Sequence, residues 1–253
     1  MKPKLSYAIW FSQRTGSTLL CRALQSLKIA GKPSEWLGCY NPPDFSLLDK
    51  YQLNNHTELQ QRIWQLGTTP NGVFGIKGGI FEPYFSQIIK TLKQFPGCDP
   101  HAENRGEIWH NAFPNCKHIY MTRRNKVRLA VSWWKAIQSE EWHRESKLPA
   151  ASELKDKYSY DAINHLFAEC SMREAAIQEF FSEGSIIPLT IVYEDFILAY
   201  ESTIRTILSY LELPDIQNIS IPDPPLQRLA DDVSEAWVQR FREERQQGWQ
   251  NYW

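Results

Sequence analysis

One segment near the N-terminus constrains the fold most, because it predicts a strand, a tight turn and a helix in direct succession. Leu5–Phe11 is a short apolar run with aromatic members, which is typical of a buried strand. Residues 12–18, SQRTGST, follow as a polar turn. Apolar residues then recur at the spacing of one helix face: Leu19, Leu20, Ala23, Leu24 and Leu27.

The turn between this strand and this helix has the composition of a phosphate cradle. The N-terminus of a helix presents unpaired N–H groups and the positive end of the macrodipole. Gly16 lets the backbone approach a bound phosphate, and Ser17 and Thr18 add hydroxyl groups. Arg14 adds a cation that can bind two oxygens at once. The alternative is an ordinary helix start beside a surface arginine.

The same turn departs from the Walker pattern GxxxxGK[ST] of nucleoside-triphosphate sites. Ser17 follows Gly16 where that pattern has Lys, and Phe11 occupies the position of its first Gly. The departure disfavours a site for a magnesium–triphosphate complex.

The rest of the chain alternates between strand-like and helix-like segments. Further strands are predicted at residues 73–77, 117–121 and 186–193, with Pro188 favouring the edge of a sheet or the start of its strand. Further helices are predicted at residues 85–95, 126–142, 159–181 (with Ser159 as cap), 199–211 and 232–247. This alternation predicts one α/β domain over residues 1–253, with a parallel sheet covered by helices on both faces.

Three other segments are predicted to lack regular structure. Residues 38–56 and 96–107 are rich in Pro, Gly, Asn and Asp, so we expect loops there. Residues 212–225 contain four prolines and are expected to form an extended linker.

Composition excludes several classes of protein. Lys plus Arg number 28 and Asp plus Glu 29, so the net charge of -1 gives no reason to expect nucleic-acid binding. The sequence has no run of 18 apolar residues, so no transmembrane helix is expected. The first apolar run is too short for a secretory signal. The five cysteines are scattered, without CxxC or zinc spacing. We therefore expect a cytoplasmic protein with reduced thiols and no metal site.

The turn also carries a resemblance to a known family. Arg14-Thr15-Gly16-Ser17-Thr18 resembles the P-loop-like turn of sulfotransferases, and the string SQRTGSTLL at residues 12–20 is similar to the bacterial trehalose 2-sulfotransferase family. The resemblance implies an α/β fold of the P-loop-like (nucleoside-triphosphate-hydrolase-like) type. It also implies a site for the 5′-phosphosulfate of 3′-phosphoadenosine 5′-phosphosulfate (PAPS), with no metal, formed by Gln13, Arg14, Thr15, Gly16, Ser17 and Thr18.

A second basic segment matches the sulfotransferase pattern for the 3′-phosphate of that donor. The pattern is an Arg after a strand and a Ser eight or nine residues later. Ser132 lies nine residues after Arg123 and eight after Arg124, so both registers fit. The alternative is a solvated basic helix face.

The resemblance also implies the catalytic residues, which are Glu35, Lys77 and Arg14. Glu35, in the family's Pro-x-Glu-aromatic segment, corresponds to its proposed base, and removal of a hydroxyl proton by a carboxylate suits sulfuryl transfer to an alcohol. Lys77 ends a strand of the form Asn-Gly-Val-aromatic-Gly-x-Lys and is a candidate for stabilising the transferred group. The alternatives are an ordinary loop carboxylate and a solvent-facing lysine.

Two later residues are weaker candidates for the donor site. Arg228, in a family-like late loop, is a candidate for the 3′-phosphate or the adenosine, and Tyr193 for the adenine. Each is also explained by a role in the core or on the surface.

Aromatic residues bear on the acceptor and on assembly. Trp36 and the pair Trp133 and Trp134 flank the predicted site and would suit a sugar. An aromatic C-terminal end at residues 249–253 suggests a docked tail or a partner subunit, and the resemblance implies a homodimer. The resemblance is weakest in residues 38–70 and 96–112, which are expected to line the acceptor pocket.

The sequence therefore predicts an enzyme, a PAPS-dependent sulfotransferase that acts on a small hydroxyl acceptor such as a carbohydrate or glycolipid and releases adenosine 3′,5′-bisphosphate. One alternative is a P-loop nucleotide kinase-like enzyme, which would need the missing Walker lysine. The other is a non-catalytic nucleotide-binding module, against which the presence of Glu35 argues.

Overall fold

The computed structural model describes residues 2–38, 45–143, 152–226 and 231–248. The candidate cation Arg228 and the aromatic end at residues 249–253 lie outside these ranges. The strands of the sheet are β1 (Leu5–Phe11), β2 (Val73–Gly78), β3 (Cys116–Thr122) and β4 (Leu189–Val192). They are parallel and lie in the order β2-β1-β3-β4, so the predicted α/β fold is confirmed.

The helices alternate with these strands along the chain. Within the described residues they are α1 (Ser17–Ser26), α2 (Leu47–Tyr51), α3 (His56–Gly67), α4 (Tyr84–Leu92), α5 (Arg105–Ala112), α6 (Lys126–Ser139), α7 (Tyr160–Glu183), α8 (Tyr193–Leu198), α9 (Tyr200–Tyr210) and α10 (Asp232–Gln246). Two short 3₁₀ segments lie at Ser152–Lys157 and Ile216–Asn218. Among the described helices, none is long and apolar enough to cross a membrane.

The sheet is buried on both faces because side chains of β1 alternate between two cores. Ala8 and Trp10 pack into a cluster with residues of α3, α4, α5 and α7. Ile9 and Phe11 pack into a second cluster with residues of α1 and α9. A third cluster joins α6, α7 and α10. The sheet is therefore a rigid platform whose strand ends can hold side chains in fixed positions.

The parallel register brings the turns after β1, β2 and β3 to one edge of the sheet. Ile9 of β1 pairs with Lys77 of β2, and Phe11 pairs with Met121 of β3. In open parallel sheets, ligands bind beyond the carboxyl ends of the strands. This edge is therefore where a ligand site is expected.

The predictions for the loops were partly wrong. α2 lies inside the segment predicted as loop, and its cap Ser46 accepts a hydrogen bond from the Asp49 amide. α3 was not predicted, although Asn55 caps it by accepting from the Glu58 amide. α5 begins at Arg105 and overlaps the second predicted loop. Local capping by Ser and Asn outweighed a composition that is typical of loops.

Elsewhere the predicted boundaries shifted by a few residues. The predicted cap Ser159 accepts a hydrogen bond from the Ala162 amide at the start of α7, as expected. α6 ends at Ser139 because Glu140 adopts a left-handed conformation, with φ of 58°. β4 follows Pro188 and lies at an end of the sheet, and Tyr193 begins α8 rather than ending this strand.

Candidate active site

A cavity of about 700 Å³ opens beside the turn after β1. It is lined by residues of that turn and of α1, α6, α8, α9 and α10, together with residues 141–143. Ten of the predicted site residues line it: Gln13, Arg14, Gly16, Ser17, Thr18, Glu35, Lys77, Arg123, Ser132 and Tyr193. Of the other described candidates, Thr15 and Arg124 are not part of this lining.

The turn after β1 is held in a strained conformation that leaves the start of α1 open. Arg14 and Gly16 both have positive φ angles, of 63° and 84°. The Thr15 hydroxyl is buried and donates to the Ser12 carbonyl at 2.8 Å, which closes the turn from behind. Gly16 precedes the helix and has no side chain to cap it. The first amides of α1 therefore keep their capacity to bind an anion.

Gly16 is also required by its contact with Tyr193. A Cβ atom at this position would lie 2.5 Å from Cδ2 of the tyrosine ring, which is closer than real contacts allow. The aromatic ring thus packs against the bare backbone of the turn.

The Arg14 guanidinium lies partly buried in the cavity. Its Nε donates to Ser132 Oγ at 3.1 Å, and Nη1 donates to the carbonyl of Trp142 at 2.6 Å. These contacts use two of its five N–H donors, so others can bind an anion. Burial, followed by the charge of Arg123, lowers the pKa of Arg14 to about 10, which leaves it charged at neutral pH.

The two adjacent arginines after β3 have different environments. The guanidinium of Arg123 is largely buried and lies 4.8 Å from the ring of Tyr193. Arg124 is 62% exposed and forms an ion pair with Asp195 at 2.8 Å, outside the cavity lining. Of the two registers that the sequence left open, the structure brings Arg123 and Ser132 to one cavity.

Glu35 and Lys77 meet at the cavity wall. Lys77 Nζ lies 2.8 Å from Glu35 Oε1, 3.2 Å from Thr18 Oγ1 and 4.2 Å from the centroid of the Phe11 ring. The Lys77 side chain is 10% exposed and the Glu35 side chain 36%, so the carboxylate faces the open space.

The segment that carries Glu35 is fixed by hydrogen bonds to β2. The Lys77 amide donates to the Ser34 carbonyl at 2.9 Å, and the Trp36 indole donates to the Gly75 carbonyl at 3.1 Å. A Cβ atom on Gly31, whose φ is 69°, would lie 2.7 Å from the Gly75 amide. The glycine allows this close approach, which sets the carboxylate beside the lysine.

The family model described as Stf0 sulphotransferase matches residues 6–244 of the chain. The chain belongs to the Stf0 sulphotransferase family. The match takes in β1 from its second residue, β2 to β4 and nearly all of α10, so it includes the elements that form the cavity. The predicted enzyme class, a sulfotransferase, is confirmed.

Curated relatives of this Stf0 chain extend over nearly its whole length. It is 28% identical to the trehalose 2-sulfotransferase of Mycolicibacterium smegmatis, over 95% of the chain and 96% of the relative. It is 26% identical to the trehalose 2-sulfotransferase of Mycobacterium tuberculosis, over 94% of each. A crystal structure of a sulfotransferase from Alicyclobacillus acidocaldarius shares the fold, with a TM-score of 0.50 at 13% identity, covering 95% of this chain and 92% of that one.

The sequence of this Stf0 protein did not single out several residues that line its cavity. Lys135 is buried on α6 and forms an ion pair with Asp231 at 2.6 Å. Trp142 and His143 follow the end of α6, and partial desolvation beside the cavity, with the charges of Arg14 and Lys77, lowers the pKa of the surface-exposed His143 to about 4. His143 is therefore a neutral hydrogen-bonding group at neutral pH. No local pattern marks these residues, because distant parts of the chain place them.

The side chains of the Stf0 site fit a donor that carries two anionic groups. Arg14 and Arg123 bring positive charge to one cavity beside the uncapped start of α1, and Lys77, Arg128 and Lys135, each in an ion pair with a carboxylate, also line it. Over the described ranges, no group of three or more His, Cys, Asp and Glu residues is arranged to hold a metal ion.

Proposed function

We propose that this Stf0 enzyme transfers a sulfuryl group from PAPS to a hydroxyl group of a small carbohydrate-like acceptor. The observation that carries the proposal is the 2.8 Å pair of Glu35 and Lys77, which opens into the cavity that also contains Arg14 and Arg123. A proton acceptor and a set of cations thus face one space.

The residues of the cavity divide into two donor-binding groups. The turn from Arg14 to Thr18 and the first amides of α1 would hold the 5′-phosphosulfate, because a helix N-terminus and a guanidinium both favour anions. Arg123 and Ser132 would hold the 3′-phosphate, and the ring of Tyr193, between Gly16 and Arg123, would contact the nucleoside. Each charge-assisted bond contributes about 1.5–3 kcal/mol.

In this proposal Glu35 acts as the general base. The donor supplies an activated sulfuryl group with adenosine 3′,5′-bisphosphate as its leaving group. As the acceptor oxygen forms its bond to sulfur, the hydroxyl proton passes to the free carboxylate oxygen of Glu35. Lys77 holds the other oxygen of the carboxylate, which orients it toward the cavity.

Lys77 gains a second role as the proton moves. Protonation of Glu35 neutralises the partner of the ammonium group, so its charge becomes available to oxygen atoms that gain negative charge during transfer. The contact with Thr18 keeps the ammonium group beside the donor-binding turn throughout.

The acceptor would lie on the side of the cavity formed by Glu35, Trp142 and His143. The indole of Trp142 is 43% exposed and offers a flat apolar face of the kind that sugars pack against. The neutral imidazole of His143 can donate and accept hydrogen bonds with hydroxyl groups. The curated relatives are named for sulfation of trehalose, which supports a carbohydrate as the acceptor class.

The donor proposal is tested by thermal stabilisation of the purified protein. Adenosine 3′,5′-bisphosphate should raise the melting temperature in a concentration-dependent way, whereas Mg-ATP should have little effect, because ligand binding to the folded state stabilises it. Stabilisation by Mg-ATP alone would instead support the kinase-like alternative.

The mechanism is tested with Glu35→Gln, using PAPS labelled in its sulfuryl group and a panel of sugars. The variant should bind the bisphosphate normally but lose about 10²–10⁴-fold in turnover, the usual contribution of a general base. Glu141→Gln, which alters another carboxylate of the cavity wall, is the matched control and should retain far more activity. Full turnover by Glu35→Gln would remove this residue from the mechanism.

A further inference from the structure

Glu174, on α7, contacts both of the strand ends that carry the donor-binding arginines. Its Oε1 accepts hydrogen bonds from the hydroxyl of Ser12 at 3.1 Å and from that of Thr122 at 3.3 Å. Its Oε2 accepts from Lys126 Nζ at 2.5 Å. One carboxylate therefore joins the end of β1, the end of β3 and the start of α6.

The two hydroxyl groups are close in sequence to the two arginines. Ser12 lies two residues before Arg14, and Thr122 lies immediately before Arg123. Both hydroxyls donate to the same oxygen atom of Glu174. The backbone before Arg14 and the backbone before Arg123 are therefore held in fixed positions relative to each other. A shift of Glu174 would move the backbone that leads to each of the two arginines.

α7 holds Glu174 in a fixed position. The helix is 24 residues long and is anchored in the core by Cys170 and Ile177, which are fully buried on either side of the carboxylate. The adjacent Arg173 donates to Gln13 Oε1, in the same turn, and its guanidinium packs 4.8 Å from the Trp133 ring of α6. Neighbouring residues of α7 thus hold the turn after β1 against α6.

The carboxylate lies outside the cavity lining and is largely buried, at 12% exposure. It accepts hydrogen bonds from the hydroxyls of Ser12 and Thr122 and from the ammonium group of Lys126. It also interacts with the hydroxyl of Tyr120 and does not face the proposed ligands. Its influence on the reaction therefore passes through the residues that it holds.

We propose that Glu174 is a positioning residue that sets the distance between the two phosphate-binding ends of the donor site. The inference rests on the proposed function, because it assigns the two ends to Arg14 and Arg123. If Glu174 positions the two ends, the affinity for ligands that span both ends should depend on Glu174, and the affinity for ligands that bind at one end should not. A residue that only stabilised the fold would affect both kinds of ligand alike.

The test compares three ligands by titration calorimetry: adenosine 3′,5′-bisphosphate, adenosine 5′-monophosphate and adenosine 3′-monophosphate. For Glu174→Ala, the Kd of the bisphosphate should rise about tenfold or more, because a second contact adds affinity only when both sites are correctly spaced. The Kd values of the two monophosphates should change by less than about twofold.

A second variant guards against misfolding of the first. Ser12→Ala combined with Thr122→Val removes both hydroxyl groups but leaves the ion pair of Glu174 with Lys126, and it should give the same selective loss. Glu179→Ala removes an exposed glutamate of the same helix and should leave all three affinities unchanged.

Two results would overturn the positioning role: an unchanged Kd for the bisphosphate in the double variant, or equal weakening of all three ligands. Failure of the proposed function is a separate result, because the unaltered protein would then bind the bisphosphate no more tightly than the monophosphates.

Discussion

The turns after β1 and β3 lie at the same edge of one sheet and both lead into helices, yet they satisfy their backbone in opposite ways. α1 follows Gly16, which offers no capping side chain. α6 follows Asn125, whose side chain accepts from the Arg128 amide at 3.0 Å. The first helix start is left open to the cavity and the second is closed by the chain itself.

Glu194 completes the closure of the second turn. Its carboxylate accepts from the amides of Arg124 and Asn125, at 2.9 and 3.1 Å. Burial opposes ionisation, but these amide donors, together with Arg123, keep the pKa of Glu194 below its ordinary value. The Glu194 carboxylate thus binds the backbone donors that a phosphate would use. The side chains of this turn remain to bind a ligand in the cavity.

The two turns therefore contribute different kinds of contact to one proposed ligand. The turn after β1 offers open backbone amides as well as the charge of Arg14, whereas Glu194 binds two amides of the turn after β3, which therefore depends on the charge of Arg123. Substitutions that change backbone shape should thus affect binding in the first turn more than in the second.

The largest effect is expected for Gly16→Ala. The new Cβ would collide with the Tyr193 ring and distort the turn, and hydrogen bonds to a charged group contribute about 1.5–3 kcal/mol each, so losing one or two of them would cost about a hundredfold in affinity. We expect the affinity for adenosine 3′,5′-bisphosphate, measured by calorimetry, to fall by about that factor.

Gly97→Ala is a matched control for backbone strain. Gly97 has a φ of 90°, close to the 84° of Gly16, but nothing lies within 4 Å of the added Cβ. Both variants should lose stability through backbone strain, Gly16→Ala should lose more because of its collision with Tyr193, and only Gly16→Ala should lose binding. Equal affinity for the ligand in the two variants would refute the role of shape in the first turn.

The next effect concerns charge in the second turn. Arg123→Ala should weaken binding of the bisphosphate by about 10- to 100-fold, the equivalent of one charge-assisted bond. Arg124→Ala removes the same group from the next residue, which faces Asp195, and should change the Kd by less than about twofold. A larger loss for Arg124→Ala would assign the 3′-phosphate to the other register.

The same two turns show how far the sequence can lead. The apolar runs and the glycine-containing turn predicted the strands and placed Arg14 at a strand end, because these are local features. The sequence could not show which of Arg123 and Arg124 faces the cavity, because this depends on Glu194 and Asp195, some 70 residues away. Glu174, separated from Ser12 by 162 residues, was likewise outside any local pattern.

Removal of the Glu194 carboxylate should have a smaller effect on binding. It should lower the stability of the protein and raise its affinity for the ligand. Glu194→Gln keeps the shape but loses the charge that holds two amides, which should cost about 1–2 kcal/mol of unfolding free energy. The charge of Arg123, 3.6 Å away, is then less neutralised, so affinity for the bisphosphate should rise by about two- to threefold. Denaturant titration and calorimetry measure the two quantities, and a fall in both would contradict this view of the second turn.

The smallest effect on binding is expected from a buried histidine that joins the strands beneath both turns. Trp10 of β1 donates its indole N–H to Nδ1 of His118 on β3 at 2.9 Å. His118 therefore carries its proton on Nε2, which lies 3.0 Å from Nε2 of His110. Burial, aided by His110, lowers the pKa of His118 to about 3.

Because the unfolded chain takes up this proton near pH 6.5 and the folded chain only near pH 3, stability should fall as the pH drops between those values. Linkage gives a loss of roughly 2 kcal/mol by pH 5. His118→Asn keeps an acceptor for Trp10 but does not titrate, so its stability should depend less on pH. The pKa values of His110 and His143 are lowered as well, so His110→Asn and His143→Asn, measured in parallel, separate their shares.

Affinity for the bisphosphate at neutral pH should be unchanged in His118→Asn, because this pair joins the strands without altering the charge or the shape of either turn. If the stability of His118→Asn and that of the unaltered protein depended equally on pH, His118 would not be the group that makes the fold sensitive to acid. A large loss of affinity would show instead that the two turns are not independent of the core that carries them.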